Sequence, residues 1–241
     1  MAATRSNSFP RSSRQHPLAT EVNEHLNRLR ASKEASTSSS LISHKLNGFQ
    51  DLYDCVVKFL QLPLSHHALA HECADELLDG SLRLLDLCST TKDIVLQTKE
   101  SASELQSTLR RRKIGEAKIV SEVRKYMSSR KVSKKTIHKA LGNLKVIQRK
   151  NTVSPSETVS MLKEIETVTC SMFEDLNVNG FEKADVALKS FGITKSEIIN
   201  LEMQNQLKDL ELFIQDLEDG LECLFRCMIK ARVSLLNILT L

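Results

Sequence analysis

The chain has 241 residues with only 7 Gly and 4 Pro, 41% hydrophobic and 27% charged residues, and a formal net charge of +4. So few turn-forming residues beside this much apolar content exclude a collagen-like, Pro-rich or wholly disordered chain. Because short alternating strands bounded by Gly or Asn turns are hard to find, the sequence predicts an all-α fold.

The first 40 residues predict a flexible, basic, Ser-rich tail and linker. Residues 1–20 contain Arg5, Arg11 and Arg14 and no acid, a composition typical of a chloroplast transit peptide or of a disordered cytosolic tail. A short helical pattern at residues 21–31 is followed by a Ser- and Thr-rich run that cannot bury apolar surface.

A short motif in this tail resembles a phosphorylation-dependent binding site. Residues 5–10 read R-S-N-S-F-P, which fits the pattern recognised by 14-3-3 proteins once the second serine, Ser8, is phosphorylated. A position in a flexible segment suits such recognition, so Ser8 is the candidate phosphorylation site.

Residues 41–241 predict a single, elongated helical-bundle domain with long, coiled-coil-like helices. A helix over residues 41–61 is ended by Pro63, and another runs from Ser65 towards Lys113. The core-facing stripe of this second helix alternates steps of three and four residues: Ala74, Leu77, Ser81, Leu84, Cys88, Thr91, Val95, Thr98, Ala102, Leu105 and Leu109.

Two adjacent blocks of opposite charge follow. Residues 110–150 hold 15 Lys or Arg and two Glu, whereas residues 151–225 hold 15 acids and five Lys. A helix from Val132 would place cations on one side and Ile137, Leu141, Leu144 and Ile147 on another. The candidate partner- or lipid-binding residues are Arg110, Arg111, Arg112, Lys113, Lys134, Lys135, Lys139 and Lys145.

Such a basic amphipathic helix could bind a protein partner, an anionic membrane surface or phosphates. We favour internal pairing with the acidic block, because adjacent blocks of opposite sign attract each other strongly. Nucleic acid is the least favoured ligand, since no helix-turn-helix, zinc finger or aromatic-interleaved surface accompanies the charge.

The C-terminal third predicts three further helices. Ser154 to Glu157 forms a capping box that opens the first, Gly192 ends the second after Phe191, and Thr194 to Glu197 is another capping box. The last helix has an apolar seam of five heptads: Met203, Leu207, Leu210, Ile214, Leu217, Leu221, Leu224, Met228, Ala231, Leu235 and Ile238. Further apolar residues are expected to widen the seam: Leu212, Phe213, Cys223, Phe225, Val233 and Leu236. This favours burial within a bundle over an intermolecular coiled coil, although self-association stays open.

No constellation in the sequence predicts catalysis, a cofactor or a metal. His67, His71 and Asp75 are spaced to share a helix face, but zinc needs about four converging ligands, so no metal site is predicted. Neither a nucleophile elbow nor a phosphate-binding loop occurs, which indicates a protein that is not an enzyme.

The cysteines and the C-terminal tail bear on the compartment. The six cysteines lie far apart in apolar stretches, apart from Cys223 and Cys227, which we read as buried inert thiols. We therefore expect an intracellular protein, cytoplasmic or, as the alternative, imported into the chloroplast. Four charged residues in the apolar tail 221–241 argue against a transmembrane helix.

Several stretches together resemble a plant-specific family of unknown molecular function related to the BYPASS proteins. They are S-N-S-F-P at 6–10, L-x-L-P at 60–63, D-E-L-L-D-G-S-L-R-L-L-D-L-C at 75–88, L-Q-S-T-L-R-R-R at 105–112 and L-F-R-C-M-I-K-A-R-V-S-L-L-N-I-L at 224–239. The resemblance implies an all-helical, single-domain plant protein linked to root and shoot development, without assigned catalytic residues.

These observations, with the role in plant root and shoot development that the resemblance implies, predict a non-enzymatic regulatory or adaptor protein that acts through helix-mediated partner binding. The alternative is a peripheral membrane protein that binds anionic lipid through residues 110–150.

Overall fold

The computed structural model describes residues 16–31, 39–69, 74–111, 116–148, 156–179, 181–191 and 197–239. Within these ranges the chain forms helices and no strands, which confirms the predicted all-α fold. The helices are α1 Pro17–Ala31, α2 Ser39–Leu60, α3 Pro63–Leu69, α4 Ala74–Arg110, α5 Glu116–Gln148, α6 Glu157–Asn179, α7 Glu182–Phe191 and α8 Glu197–Leu239.

Two long helices give the bundle its elongated shape. α4 has 37 residues and α8 has 43, so at 1.5 Å per residue they extend for about 55 Å and about 65 Å. α8 packs between α2 and α4, and a small cavity lined by α2, α4, α6 and α8 marks where these four helices meet.

Polar contacts along α8 fix the directions of its two neighbours. Ser43 Oγ donates to Asp216 Oδ2 at 3.2 Å, and Asp54 Oδ1 lies 3.7 Å from Cys227 Sγ, so α2 runs parallel to α8. α4 pairs with α8 in the opposite order: Lys92 meets Glu222 and Lys99 meets Glu218. α4 and α8 are therefore antiparallel.

The apolar seams predicted from helical periodicity form the core. Every predicted seam position of α8 from Met203 to Ile238 is buried, and so are all those of α4 from Leu77 to Leu109 except the half-buried Ser81. The predicted widening of the α8 seam holds for the buried Phe213 but is wrong for Leu212 and Val233, which are 67% and 47% exposed. Those two side chains point away from the core because they lie opposite the seam on the helix.

Glycine allows two of these helices to approach their neighbours closely. A Cβ atom at Gly220 of α8 would lie 2.7 Å from Leu46 Cδ1 and 3.2 Å from Leu46 Cβ on α2. A Cβ atom at Gly80 of α4 would lie 2.1 Å from Glu166 Oε1 on α6. At Gly220 the close atoms include the Leu46 Cβ, so core packing leaves little room for an additional methyl group, whereas at Gly80 they are the end of the Glu166 side chain, which can move aside.

Three predicted helix boundaries are wrong. The single helix expected from Ser65 to Lys113 is divided into α3 and α4, and α3 is tied to α2 by Ser65 Oγ, which donates to the Phe59 carbonyl at 2.7 Å. α5 begins at Glu116, well before Val132. Ser156 caps α6, which begins at Glu157, because its Oγ accepts a 3.4 Å hydrogen bond from the Val159 amide; the predicted cap, Ser154, lies outside the described residues.

The helix predicted at residues 21–31 is α1, which begins earlier, at Pro17. It was expected within the flexible segment 1–40, but it packs against α2 and α6 and buries Val22 and Leu26 in the common core. α1 is therefore part of the bundle. Residues 1–15, with the candidate Ser8, and residues 32–38 lie outside the described residues.

Candidate partner-binding surface

The basic residues predicted as a binding surface lie at the end of α4 and along α5. Arg110 is the last residue of α4, Arg111 follows it, and both are exposed. Lys134, Lys135, Lys139 and Lys145 all lie on α5, although the side chain of Lys145, like residues Arg112 and Lys113, is outside the described part. Most of the prediction thus concerns a single helix.

α5 is amphipathic, and its inner side is occupied. It packs against α4 and, less extensively, against α6. The buried side chains recur in steps of three and four: Val123, Tyr126, Arg130, Ser133, Ile137 and Leu141. Of the predicted apolar side, Ile137 and Leu141 are therefore already buried within the chain, whereas the side chains of Leu144 and Ile147 lie outside the described part.

The outer side of α5 is a row of cations, which we call the basic face. Lys118, Lys125 and Lys139 repeat at multiples of seven residues, so they share one side of the helix. All members are exposed: Lys118, Arg124, Lys125, Lys131, Lys135 and Lys139.

Almost none of this charge is compensated in the part of the chain that the structure describes. Lys125 pairs with Glu122 of the same helix at 2.8 Å, which raises the pKa of Lys125. The other five members have no acidic partner within 4.0 Å among the described residues. The basic face therefore presents a strong positive potential to solvent.

The predicted pairing with the acidic block occurs at the inner edge of α5. Arg130 Nε lies 3.4 Å from Asp185 Oδ1, and Lys134 Nζ lies 2.9 Å from Asp185 Oδ2 on α7. Arg130 also stacks over the Phe181 ring, 4.0 Å from its centroid. Burial is the main cause that raises the pKa of Tyr126, and the negative charge of Asp185 adds to it. Lys134 is thus partly committed to an internal ion pair.

Several other acids of the acidic block pair with cations of other helices. Glu222 and Glu218 of α8 meet Lys92 and Lys99 of α4, and Glu164 of α6 meets Arg30 of α1. Within the described ranges, the acidic block therefore supplies no ion pair to the basic face. The ion pair between Arg130 and Asp185 was not predicted from the sequence. The signal that could have revealed it is a cation, Arg130, spaced in steps of three and four from the buried side chains of α5.

The histidine set does not come together in the described part of the chain. His67 lies on α3 and Asp75 on α4, both exposed, while His71 falls outside the described residues. The described residues contain no group of three or more His, Cys, Asp or Glu placed to hold a metal ion.

Four of the five described cysteines are buried free thiols. Burial raises the pKa of Cys55 to about 11 and that of Cys88 to about 12, which keeps both protonated and unreactive. Cys227 is also buried, but Cys223 is exposed, so the predicted pair of buried thiols is wrong for Cys223. Cys223 points outward because it lies away from the α8 seam.

One partly buried carboxyl lies among the four central helices. Glu166 of α6 lines the central cavity, of about 40 Å³, together with Tyr53, Ser81 and Arg232. Burial raises the pKa of Glu166 to about 7; Glu76 reinforces the shift, whereas Arg83 and Lys163 oppose it. Near neutral pH the group is therefore divided between its protonated and ionised forms.

Further findings come from comparison with known proteins. A family model described as Protein BPS1 matches residues 45–178 and 174–238, which confirms the predicted relation to a BYPASS-related family. No curated protein and no solved structure matches the chain.

Among the described helices, none combines the length and the apolar character needed to span a bilayer.

Proposed function

The chain belongs to the BPS1 family, and from this premise we propose that it is a non-enzymatic regulatory or adaptor protein of plant root and shoot development. In this proposal it binds an acidic protein surface through the basic face of α5. The observation that carries the proposal is the row of exposed cations for which the described parts of neighbouring helices supply no acidic partner.

The composition of α5 favours an acidic protein over a membrane. An interfacial helix inserts its apolar side into the boundary between headgroups and acyl chains. In the described part of α5, the apolar side is packed against α4. Val132 is the exposed large apolar residue of α5 among the described side chains. A partner that presents carboxylates needs only the exposed charges, which also steer its approach.

The test compares the wild type with a variant that reverses the basic face and keeps the internal ion pair. Lys131→Glu/Lys135→Glu/Lys139→Glu leaves Lys134 and Asp185 untouched. The matched control reverses three exposed lysines elsewhere, Lys58, Lys189 and Lys208, and so gives the same net charge. Affinity purification from plant tissue with mass spectrometry, at two salt concentrations, identifies what each form retains.

We expect the control to retain the same proteins as the wild type and the α5 variant to lose at least one acidic protein whose binding falls with salt. Recovery of an identical set by all three forms would contradict the proposal. Binding of the wild type, but not of the α5 variant, to phosphatidylserine liposomes would support the peripheral membrane alternative instead.

Two remaining parts of the proposal concern residues outside the described ranges. We propose that the protein acts in the cytoplasm, and a C-terminal fluorescent fusion found in chloroplasts would contradict this. We also propose that phosphorylated Ser8 binds a 14-3-3 protein, and Ser8→Ala should abolish that binding if the motif is used.

A further inference from the structure

An apolar patch lies on the outer side of the α4 and α8 pair, away from the basic face. Leu82, Ile229 and Val233 are 44%, 40% and 47% exposed, although each is a large apolar side chain. Two partly buried side chains, Leu85 and Phe225, adjoin them. Clustered exposed apolar residues typically mark an interaction surface, whereas scattered ones do not.

The contacts between α4 and α8 show that these residues share one surface. Lys92 pairs with Glu222 and lies 4.9 Å from the centroid of the Phe225 ring, on the outer side of the helix pair. Leu85 precedes Lys92 by seven residues, and Ile229 follows Glu222 by seven. Seven residues make about two helical turns, so both side chains lie on the same outer side as this ion pair.

The patch has an acidic edge and a basic edge. Asp79 and Asp86 are exposed on α4 beside Leu82, and Arg226 and Lys230 are exposed on α8 beside Ile229. Cys88 Sγ lies 3.9 Å from the Leu221 carbonyl, and Arg232 Nη1 lies 2.7 Å from Ser81 Oγ. This antiparallel register places Asp86 near the level of Arg226 and Asp79 near that of Lys230, each within about one turn.

We propose that a second copy of this chain docks on the patch, with the two-fold axis parallel to α4 and α8. A two-fold axis that lies in the interface and runs parallel to the helices brings each α4 against the partner's α8 at the same level. Each acidic edge then meets a basic edge, and the two apolar patches cover each other as a four-helix layer. An axis perpendicular to the helices would instead juxtapose acid with acid. This inference does not depend on the proposed function of α5.

Charge reversal and rescue test both the dimer and its orientation. One variant, Asp79→Lys/Asp86→Lys, has two basic edges, and the other, Arg226→Glu/Lys230→Glu, has two acidic edges. All four positions are exposed, so folding should be preserved. We expect wild-type protein to sediment at twice the chain mass of 27.1 kDa and each variant alone to show a dimer dissociation constant raised roughly tenfold or more.

The decisive sample is the equimolar mixture of the two variants, in which every edge again meets its opposite. It should form a heterodimer with an affinity close to that of the wild type. A wild type that is monomeric at all soluble concentrations, dimers unaffected by either reversal, or a mixture that remains monomeric would each overturn the inference.

A second pair of variants tests the apolar patch independently of the edges. Ile229→Glu should dissociate the dimer, whereas Leu212→Glu, an equivalent change on an exposed leucine of the same helix outside the patch, should not. Circular dichroism of both variants confirms that they remain folded. Equal behaviour of two folded variants would contradict the assignment of the patch.

Discussion

The partly buried carboxyl of Glu166 predicts a specific dependence of stability on pH. Folding raises the pKa of Glu166 from 4.5 to about 7, chiefly by burial. The folded protein therefore holds this proton more tightly than the unfolded chain does. The stability contributed by the protonated group is fully present below pH 4.5 and is lost as the pH rises through 7.

The magnitude follows from the two pKa values. A rise in the pKa from 4.5 to about 7 corresponds to about 3 kcal/mol in total, and most of it falls between pH 5 and pH 8. Glu166→Gln cannot titrate and retains the shape of the protonated side chain, so it should remove this part of the pH dependence.

Urea unfolding of the wild type and of Glu166→Gln at pH 5 and pH 8 measures this effect. Other titrating groups, including the histidines, are common to both proteins and cancel in the comparison. We expect the variant to match the wild type within about 1 kcal/mol at pH 5 and to exceed its stability by 2 to 3 kcal/mol, as an order-of-magnitude figure, at pH 8. Parallel pH profiles for the two proteins would refute the assignment of a raised pKa to Glu166.

Three further predictions concern packing and buried charge. Gly220→Ala should lower the free energy of unfolding by about 1 to 3 kcal/mol, because the added methyl group meets Leu46. Gly142→Ala, which has open space around it, should raise the free energy of unfolding by up to about 1 kcal/mol. A loss of stability at both sites in urea unfolding would contradict the close approach at Gly220. Leu224→Asp should unfold or aggregate the protein, since it buries an unpaired carboxylate in the core, and a circular-dichroism melt like that of the wild type would refute this. Asp185→Asn should cost about 3 kcal/mol by leaving Arg130 buried without its counter-charge, and an unchanged melting temperature would show that the pair is dispensable.

The core could be predicted from the sequence because helical periodicity determines which residues share a face. The α8 seam from Met203 to Ile238 is buried throughout for this reason. The close contact of Gly80 with Glu166 could not be predicted, since it depends on which helices become neighbours. The pairing of Arg130 with Asp185 could not be predicted either, because the two residues are 55 positions apart and neither belongs to a recognisable motif.

The candidate surface was only partly visible in the sequence. Composition located the basic segment, and periodicity placed Lys135 and Lys139 on its solvent side, where both are exposed. It also placed Lys134 there, although this residue reaches Asp185 of α7. Which cations remain unpaired depends on the partners that the fold supplies, so the composition of the basic face required the structure.

The central claim is that the basic face of α5 contacts an acidic protein partner in the cell. Site-specific photo-crosslinking tests it most directly, with a photoreactive residue in place of Lys135 and, as the control, in place of Lys208 on α8. The account predicts a crosslinked protein with an acidic surface from position 135 that is absent from position 208. The same crosslinked products from both positions, or none from position 135, would contradict it.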